Sequence, residues 1–567
     1  MNIYVNQLGY LPESNKVAVL AKPGKQDAAA GVCAEKVRIV NEQGECVLEK
    51  QPTPTGWDAS SGDFTWHLDF SEVKAPGRYH LQDSEGNCSH SFRIDENIYE
   101  DLNYALCKAL YYQRCGMPLE EKYAGKFARE SCHEAPSILW EDYVRLKAGE
   151  CSEDEIPKFD ITGGWHDAGD FGRYSTAAAT ALADILYAYR FFPEAFENSL
   201  NLPESGNGIP DILNECLYEL KWLLQMQDEE GGVYHKQTTL RHADFVMPCE
   251  DKDPMLLFPV SSMAVAAFVG VMALASRIYE KYDAGFAKEA LSAAKKSWSW
   301  LECHPEFVDF HNPSDCNTGE YGDHSDKDER MWAATELFRC TGEDHYLQVA
   351  WALYQEISDP TGFGWADVAG FAGWALLEEQ LQTPAATPVK TLSETESAYR
   401  AAFRDAILSN ANQLCNVIKQ SGYHVAMEAA DYTWGSNMNL LNKAMLFATA
   451  HLLEPKQEYV DGVICQMDYL LGVNAVDYSY VTGMGEHAFQ NPHNRVPYAD
   501  GIEETIPGFV SGGPNGHPAD EPGVRLIPKD TPPMKCFLDM WECYSLNEIT
   551  IYWNSPAIFA AAFLQRL

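Results

Sequence analysis

The chain has little positive charge. Of its 567 residues, 42 are Lys or Arg and 83 are Asp or Glu, so the formal net charge at pH 7 is −41. Such a surface repels phosphate backbones and anionic lipid head groups, and we therefore expect neither nucleic acid nor membrane partners. The acidic excess fits a solvated surface or calcium-binding carboxylate clusters. A neutral polysaccharide substrate is compatible with both.

The sequence shows no regular cysteine framework, and we expect neither a leader nor a membrane-spanning segment. Its 16 cysteines are spread along the chain, which favours reduced thiols over a disulfide scaffold. The strand-like run 3–5 follows Met1 without the basic and apolar regions of a signal peptide. No apolar stretch is expected to reach transmembrane length. As it stands, the sequence predicts a cytoplasmic monomer; we expect a secreted protein if a leader was removed.

What is present is an ordinary globular composition, with 46% hydrophobic and 12% aromatic residues. Near the N-terminus, short apolar runs alternate with Pro and Gly turns, which predicts a small β-sandwich over 1–95. The runs expected to form strands are 16–20, 37–40, 64–70 and 78–81.

From residue 96 onward, long segments carry apolar residues at the helical spacing i, i+3, i+4 and i+7. Helical hairpins closing into a double ring account for this series, so we predict an (α/α)6 barrel over 96–567. The segments predicted to be helical are 97–115, 171–191, 210–227, 261–282, 285–302, 328–341, 344–357, 365–383, 394–419, 435–452, 457–472 and 545–565. The stretches 303–327 and 475–543 are predicted to be irregular and functional, and 384–388 to be a loop.

Two motifs place carboxylates where they could do chemistry. The run Gly163-Gly164-Trp165-His166-Asp167-Ala168-Gly169-Asp170 could be only a glycine turn with an acidic helix start, or it could hold one water between two carboxylates kept ionised by the helix end. In Ser545-Leu546-Asn547-Glu548-Ile549-Thr550-Ile551-Tyr552-Trp553, one acid stands among apolar neighbours that favour its protonated form. A surface or capping role is the alternative for Glu548.

Together these motifs resemble those of glycoside hydrolase family 9. The run GGWHDAGDFGRY resembles the family's catalytic-base motif, and SLNEITIYWNSP resembles its catalytic-acid motif. Further landmarks in the same order are 468–474, 479–485, 491–495 and 512–515, so the resemblance covers about 96–567. The segment 5–10 resembles the start of the immunoglobulin-like module that precedes the barrel in one subgroup.

The resemblance implies roles for three carboxyl groups. Asp170 would be the catalytic base, Asp167 its partner in holding water, and Glu548 the catalytic acid. The family inverts the anomeric carbon, which requires the two working carboxyls to lie roughly 6.5 to 9.5 Å apart. The implied substrate is a β-1,4-linked glucan. The three carboxyls argue against the alternative of a glycan-binding protein without catalysis.

The run Asn491-Pro492-His493-Asn494-Arg495 resembles a substrate-binding segment that usually reads Pro-His-His-Arg. His493 and Arg495 match and are expected to donate hydrogen bonds to sugar hydroxyls. Asn494 departs from the pattern, which puts one sugar contact in doubt. A turn-forming role is the alternative for this segment.

Two metal sites are also predicted. Cys115, Cys132, His133 and His166 are ligands suited to a structural Zn²⁺, although buried thiols and core histidines are the alternative. The resemblance supports zinc, because related enzymes with the immunoglobulin-like module carry one beside the catalytic loop.

The acidic loop 318–329 suits Ca²⁺, or it is merely solvated. Family 9 enzymes often hold calcium in the corresponding loop, whose length differs here. The ligands expected are Glu329, Asp328 and the carbonyl of Gly319.

Aromatic rings could stack on sugar faces, although core packing is the alternative for each of them. The candidates are Trp365, Trp434, Trp541, Tyr552 and Trp553, of which Trp365 and Trp553 are predicted to bind substrate. We expect an endo-β-1,4-glucanase acting on cellulose-like glucans or cello-oligosaccharides. An exo-acting β-glucosidase or glucosaminidase acting on short oligosaccharides is the alternative. It would need a loop that blocks the cleft, and a glucosaminidase would also need an acidic contact for the amine.

Overall fold

The computed structural model describes residues 1–24, 35–382 and 392–567. The predicted loop 384–388 lies outside these residues. The chain divides into two compact units. The first unit comprises Met1–Leu106, Ser409–His493 and Glu503–Leu567, and the second comprises Cys107–Leu408 and Asn494–Ile502.

Two β-sheets lie near the N-terminus of the first unit. Their strands are β1 (Asn2–Tyr4), β2 (Gly9–Tyr10), β3 (Val17–Pro23), β4 (Val37–Asn41), β5 (Cys46–Lys50), β6 (Thr53–Asp58), β7 (Asp63–Asp69), β8 (Gly77–Gln82) and β9 (Phe92–Ile94). The four-stranded sheet has the order β1-β3-β7-β6, and the five-stranded sheet has the order β2-β9-β8-β4-β5. Buried side chains from both sheets, among them Leu20, Ile39, Trp66 and Phe92, form one core. The four predicted strands are confirmed, and they correspond to β3, β4, β7 and β8.

Helices dominate the remainder of the described chain. They are α1 (Glu100–Tyr112), α2 (Glu121–Ala124), α3 (Trp140–Lys147), α4 (Ser175–Phe191), α5 (Asp211–Gln225), α6 (Ser262–Tyr279), α7 (Ala284–Cys303), α8 (Lys327–Thr341), α9 (Asp344–Tyr354), α10 (Ala369–Gln382), α11 (Glu394–Gln420), α12 (Ser436–Leu453), α13 (Gln457–Leu470), α14 (Arg495–Ala499), α15 (Glu521–Leu526), α16 (Tyr544–Asn547) and α17 (Ile551–Leu564). The predicted helical segments correspond to α1, α4 to α13 and α17. The irregular character of 303–327 is confirmed up to the start of α8. The short helices α14 and α15 correct the expectation for 475–543, and α2 and α3 were not predicted.

In the second unit, buried and amphipathic helices alternate along the chain. Helices α4, α6, α8 and α10 pack against one another, and α5, α7 and α9 pack outside α4, α6 and α8. Helix α7 buries one apolar stripe, as an outer helix must. The strands β10 (Ile138–Leu139), β11 (Arg173–Tyr174), β12 (Lys236–Thr238) and β13 (Leu256–Leu257) form a further small sheet in the order β10-β13-β12-β11.

Helix α6 corrects one sequence expectation. It is 18 residues long with a mean hydropathy of 1.6, so an apolar stretch does reach the length of a membrane span. However, 94% of this stretch is buried inside the protein. Its apolar character is explained by its position among α4, α7 and α8, which makes it a core helix.

In the first unit, the β-sheets are tied directly to helical segments. The Asn6 amide donates to Asp468 Oδ1 on α13 at 2.8 Å, and the Gln7 backbone N–H donates to the Leu471 carbonyl at 2.9 Å. Helix α12 packs against both α13 and α17, and α17 is buried along almost its whole length. Helix α17, which follows Glu548, is therefore held in the core of this unit.

Candidate active site

The loop 163–173, called the Asp170 loop, begins with two glycines that adopt left-handed backbone angles. Their φ values are 89° at Gly163 and 76° at Gly164, a region that disfavours side-chain-bearing residues. A Cβ atom on Gly164 would also lie 2.7 Å from the indole of Trp222. The Asp167 N–H donates to the Gly172 carbonyl at 2.9 Å and closes the loop. The glycine run is therefore required by the turn that presents both carboxylates.

Two polar side chains from distant parts of the sequence hold this loop. The Gln113 amide donates to the carbonyls of His166 and Ala168 at 3.0 and 2.8 Å. Arg495 donates to the Gly169 carbonyl through its backbone N–H at 3.0 Å and through Nη1 at 2.9 Å. Because buried backbone groups need partners, these bonds fix the loop in one conformation.

Asp170 is buried but remains ionised. Burial by itself would raise the pKa of its carboxyl group. His242 Nδ1, 3.0 Å from Oδ2, the charge of Arg495 and the Gly172 N–H, which donates to Oδ2 at 3.2 Å, together lower the pKa well below its usual range. An ionised carboxylate is the form that can accept a proton.

Asp167 has the opposite electrostatic setting. Burial raises its pKa well above the usual range, and the negative charge of Asp170 adds to this shift. Tyr321 donates to Asp167 Oδ2 at 2.6 Å, while Oδ1 is buried without a hydrogen-bond partner. Neighbouring carboxyls whose pKa values are driven apart are typical of acid-base sites.

An aromatic group lies beside this pair. The Tyr321 ring is 4.6 Å from Tyr174 and 5.0 Å from Trp365, where the two planes are nearly perpendicular. Trp365 is partly exposed. This placement agrees with a sugar-stacking role for Trp365, which stays a prediction.

The segment 544–550, called the Glu548 segment, is short and extended at its centre. Glu548 follows α16 with ψ 158°, and its carbonyl accepts from the Gly512 N–H at 2.8 Å. The preceding residue, Asn547, accepts from the His493 N–H through its carbonyl at 3.2 Å. Thr550 then caps α17 by accepting from the Trp553 N–H at 3.1 Å. Backbone pairing and a helix cap thus fix the Glu548 backbone, and its side chain is partly exposed.

His493 has one ring nitrogen committed to the protein. Its Nδ1 lies 2.6 Å from the Trp541 carbonyl and is therefore the protonated nitrogen of the neutral ring. Nε2 then carries the lone pair of the neutral ring. The contact of His493 with a sugar hydroxyl stays a prediction.

Arg495 and Asn494 serve the protein itself. Arg495 is only 5% exposed, and its Nε donates to the Ala243 carbonyl at 2.8 Å in addition to the bonds with Gly169. The Asn494 Oδ1 accepts from the Val496 N–H at 3.0 Å and caps α14. Asn494, where the sequence departs from the family pattern, is therefore the N-cap of α14.

Trp553 requires a correction. It is 3% exposed, and a Cβ atom at Gly512 or Gly435 would lie 2.8 or 3.1 Å from its ring. A ring packed against two glycines presents no open face to a sugar, so Trp553 is a packing residue. Trp434 is 48% exposed and packs on Tyr544.

The four predicted metal ligands of the second unit come together. Cys132 Sγ lies 3.9 Å from Cys115 Sγ and 3.8 Å from His166 Nε2, and Cys115 Sγ lies 3.6 Å from His133 Nδ1. Hydrogen bonds with Cys115, His133 and His166 hold the pKa of the Cys132 thiol well below its usual range, against the effect of burial. Asp251 Oδ2 lies 3.3 Å from His133 Nε2 and orients that ring. The cluster is compatible with a structural metal.

Asp323, Asp328 and Glu329 form a second cluster in the same unit. Both carboxylate oxygens of Glu329 are buried without a hydrogen-bond partner, and burial raises the pKa of Glu329 well above its usual range. The pKa of Asp367 rises to about 7, through burial and the nearby charge of Asp328. Such uncompensated carboxyls are compatible with a bound cation. The carbonyl of Gly319, the third predicted ligand, instead accepts from Lys236 Nζ at 2.7 Å.

Several positioning residues are not evident from the sequence. His242, Gln113 and Asp251 lie far along the chain from the residues they contact and belong to no recognisable motif. Tyr321 at least falls within a stretch predicted to be functional. Asp323 lies in the predicted acidic loop but was not among the expected ligands.

Comparison with known proteins gives consistent results. Residues 99–561 match the model of glycosyl hydrolase family 9, and residues 1–86 match that of the cellulase N-terminal ig-like domain. A cellodextrinase from Butyrivibrio fibrisolvens is 38% identical over 98% of both chains. A xyloglucan-specific endo-beta-1,4-glucanase from Bacteroides ovatus is 33% identical, over 100% of this chain and 94% of that protein.

Solved structures agree with these matches. A single mutant of a thermostable endoglucanase from Alicyclobacillus acidocaldarius superimposes with a TM-score of 0.87 at 32% identity, with each chain covered completely. A zinc-binding triple mutant of the family 9 endoglucanase J30 gives a TM-score of 0.85 at 30% identity, over 98% of this chain and 99% of that one.

The protein is thus a glycoside hydrolase. It belongs to glycosyl hydrolase family 9, as the motifs predicted. The predicted fold class, an (α/α)6 barrel preceded by an immunoglobulin-like β-sandwich, is also confirmed.

Proposed function

We propose that the enzyme hydrolyses β-1,4-glucosidic bonds of cellulose-like glucans and cello-oligosaccharides with inversion, using Asp170 as base and Glu548 as acid. The observation that carries the proposal is the Asp170 carboxylate, which is buried yet kept ionised by His242 and Arg495. The substrate class follows from relatives named for action on such chains, among them a cellodextrinase and endoglucanases.

In this mechanism, Asp170 accepts a proton from the water that attacks the anomeric carbon. The unpartnered Oδ1 of Asp167 supports its role as the second group that orients this water. Glu548 donates its proton to the glycosidic oxygen as the bond breaks. Trp365 supplies a stacking face beside Tyr321, and Arg495 acts by holding the Gly169 carbonyl.

The Cys115, Cys132, His133 and His166 cluster fits a structural Zn²⁺. Ligands at tetrahedral angles around zinc lie about 3.8 Å apart for two sulfurs and about 3.6 Å apart for sulfur and nitrogen. The measured separations of 3.9, 3.6 and 3.8 Å agree with these values. Because His166 precedes Asp167, the metal would anchor the Asp170 loop.

Ca²⁺ fits the second cluster, where Asp323, Asp328 and Glu329 offer only oxygen ligands. The cation would compensate the two orphaned oxygens of Glu329 at the start of α8. Its contribution would be structural.

Product analysis tests the reaction. The protein is incubated with cellopentaose and with mixed-linkage β-glucan, and product size and anomer are followed by NMR. We expect several shorter oligosaccharides, initially as the α-anomer. Initial β-anomer would contradict inversion, and release of glucose alone would contradict endo action.

A further inference from the structure

A third group of side chains of the types that bind metal ions lies in the first unit. It has no role in the proposed function. His90, in the segment between β8 and β9, and Asp477 and His487, which follow α13, each bring one ligand atom within 4.8 Å of the others. All three side chains are partly exposed, so an ion from solvent can reach them.

The imidazoles are oriented as metal-binding histidines usually are. His487 Nδ1 lies 2.7 Å from the Asp477 carbonyl, which assigns the ring proton to Nδ1 and the lone pair to Nε2. His90 Nδ1 lies 3.3 Å from Glu486 Oε2, and its Nε2 lies 3.2 Å from Asp477 Oδ2. In each ring one nitrogen is held by an outer acceptor, the arrangement that fixes metal-ligating histidines.

Asp477 is held in an unusual conformation. Its φ is +60°, a left-handed value that costs energy in a residue other than glycine, although Asp is among those that tolerate it. Gln7 donates to its carbonyl at 3.0 Å and accepts from the His487 N–H at 2.7 Å, so one side chain clamps both residues. Asp477 Oδ1 is buried without a hydrogen-bond partner.

Spacing and charge identify the class of ion. Nitrogen and oxygen ligands of tetrahedral zinc lie about 3.4 Å apart. The His90–Asp477 pair, at 3.2 Å, already fits, and the ligand atoms of all three residues lie within 4.8 Å of one another. With neutral imidazoles, the carboxylates of Asp477 and Glu486 carry two negative charges, which one divalent ion offsets.

We propose that His90, Asp477 and His487 form a second zinc-class site, with Glu486 as the positioning residue for His90. Two imidazoles and one carboxylate are ligands that Zn²⁺ accepts, and water can complete its tetrahedron. The ion would cross-link the segment after β8 to the segment after α13. It would stabilise the first unit without taking part in hydrolysis.

The test counts zinc in the full-length protein. Wild type and variants are titrated with Zn²⁺ against a chromophoric chelator at pH 7.5. We expect His487→Gln and Asp477→Asn each to bind one equivalent fewer than wild type. Glu486→Gln should keep the equivalent with about 10–100-fold weaker affinity. His80→Gln, on β8 and outside the cluster, is the control and should match wild type.

Asp477→Asn is informative because Asn tolerates the left-handed conformation, and far-UV circular dichroism checks its folding. Crystals soaked in Zn²⁺ provide an independent measurement, with an anomalous peak expected between His90, Asp477 and His487. Equal zinc stoichiometry in wild type, His487→Gln and Asp477→Asn would overturn the proposal, as would the absence of this peak. The three residues would then form only a histidine–carboxylate ion pair.

Discussion

The Asp170 loop and the Glu548 segment fix their carboxyl groups by different means. The Asp170 loop is buried and is held by side chains from remote positions, namely Gln113, His242, Tyr321 and Arg495. The Glu548 segment is held mainly by backbone pairing and by the Thr550 cap. The difference suits their proposed roles, since a base needs charges that stabilise its anion. Substitutions around Asp170 should therefore alter both geometry and ionisation.

The largest expected effect separates the two roles. Asp170→Asn and Glu548→Gln should each lower kcat on cellopentaose by about 10²–10⁴-fold, because each removes one proton transfer. On 2,4-dinitrophenyl cellobioside, whose leaving group needs no proton, Glu548→Gln should recover most of its activity and Asp170→Asn should not. Steady-state kinetics on both substrates measure this difference.

Glu542→Gln, a nearby carboxyl outside the Glu548 segment, is the control and should retain wild-type kcat on both substrates. If Asp170→Asn recovered on the activated substrate as Glu548→Gln does, the assignment of Asp170 as base would fail.

The second effect concerns ionisation of the base. Arg495 and His242 lower the pKa of Asp170, so Arg495→Met or His242→Gln should raise it. A base with a raised pKa remains protonated up to a higher pH, and the acidic limb of kcat/KM should move toward neutrality. Arg495→Met should also lower kcat by about 10–100-fold through misplacement of the loop.

Arg495→Lys keeps the positive charge but cannot reproduce the forked contacts with Gly169 and Ala243. It should lower kcat while shifting the acidic limb less than Arg495→Met does. An acidic limb that stayed in place in both Arg495→Met and His242→Gln would contradict the electrostatic account.

Substitutions in the cluster of Cys115, Cys132, His133 and His166 should disturb the Asp170 loop more than the Glu548 segment. Cys132→Ser is expected to lose one zinc equivalent and to lower both the melting temperature and kcat. Asp251→Asn should weaken zinc binding by about 10–100-fold, because Asp251 orients His133. Cys340→Ser, outside the cluster, is the control for zinc content and melting temperature. Unchanged zinc content in Cys132→Ser would exclude this cluster as the site.

Asp468, a buried carboxyl in the first unit, differs from Asp170 in that its pKa is raised rather than lowered. Burial raises the pKa of Asp468 to about 8, although Asn6 donates to it. A folded-state pKa above the unfolded value means that stability is greatest at acidic pH and falls as the pH rises from about 4 to 8, by about 1.4 kcal/mol per unit. Asp468→Asn should flatten this decline, as measured by urea unfolding at pH 5 and pH 7.5. Asp461→Asn, on the same helix, should not. An equally steep decline in Asp468→Asn would contradict the raised pKa.

The parts of the site that the sequence predicts are those encoded locally. The two carboxylate motifs are contiguous runs, and the long helices show their periodicity within each segment. The partners His242, Tyr321 and Gln113 depend on tertiary packing across 72, 154 and 53 positions, so no local pattern marks them. Exposure is likewise not encoded locally, which is why Trp553 looked like a sugar contact although it packs on Gly512.

The smallest expected effect concerns Asn494, which stands where the similar family segment usually has a second histidine. Asn494 caps α14, and loss of such a cap costs about 0.5–2 kcal/mol. Asn494→His should lower stability by this amount, leave kcat within about twofold, and lower KM for cellopentaose only if an imidazole gains a sugar contact. Asn494→Ala removes the cap without adding an imidazole and is the matched control. Equal KM values for the two variants would show that residue 494 serves only to cap α14. A lower KM in Asn494→His would show that an imidazole at this position contacts the sugar, a contact that Asn494 does not make.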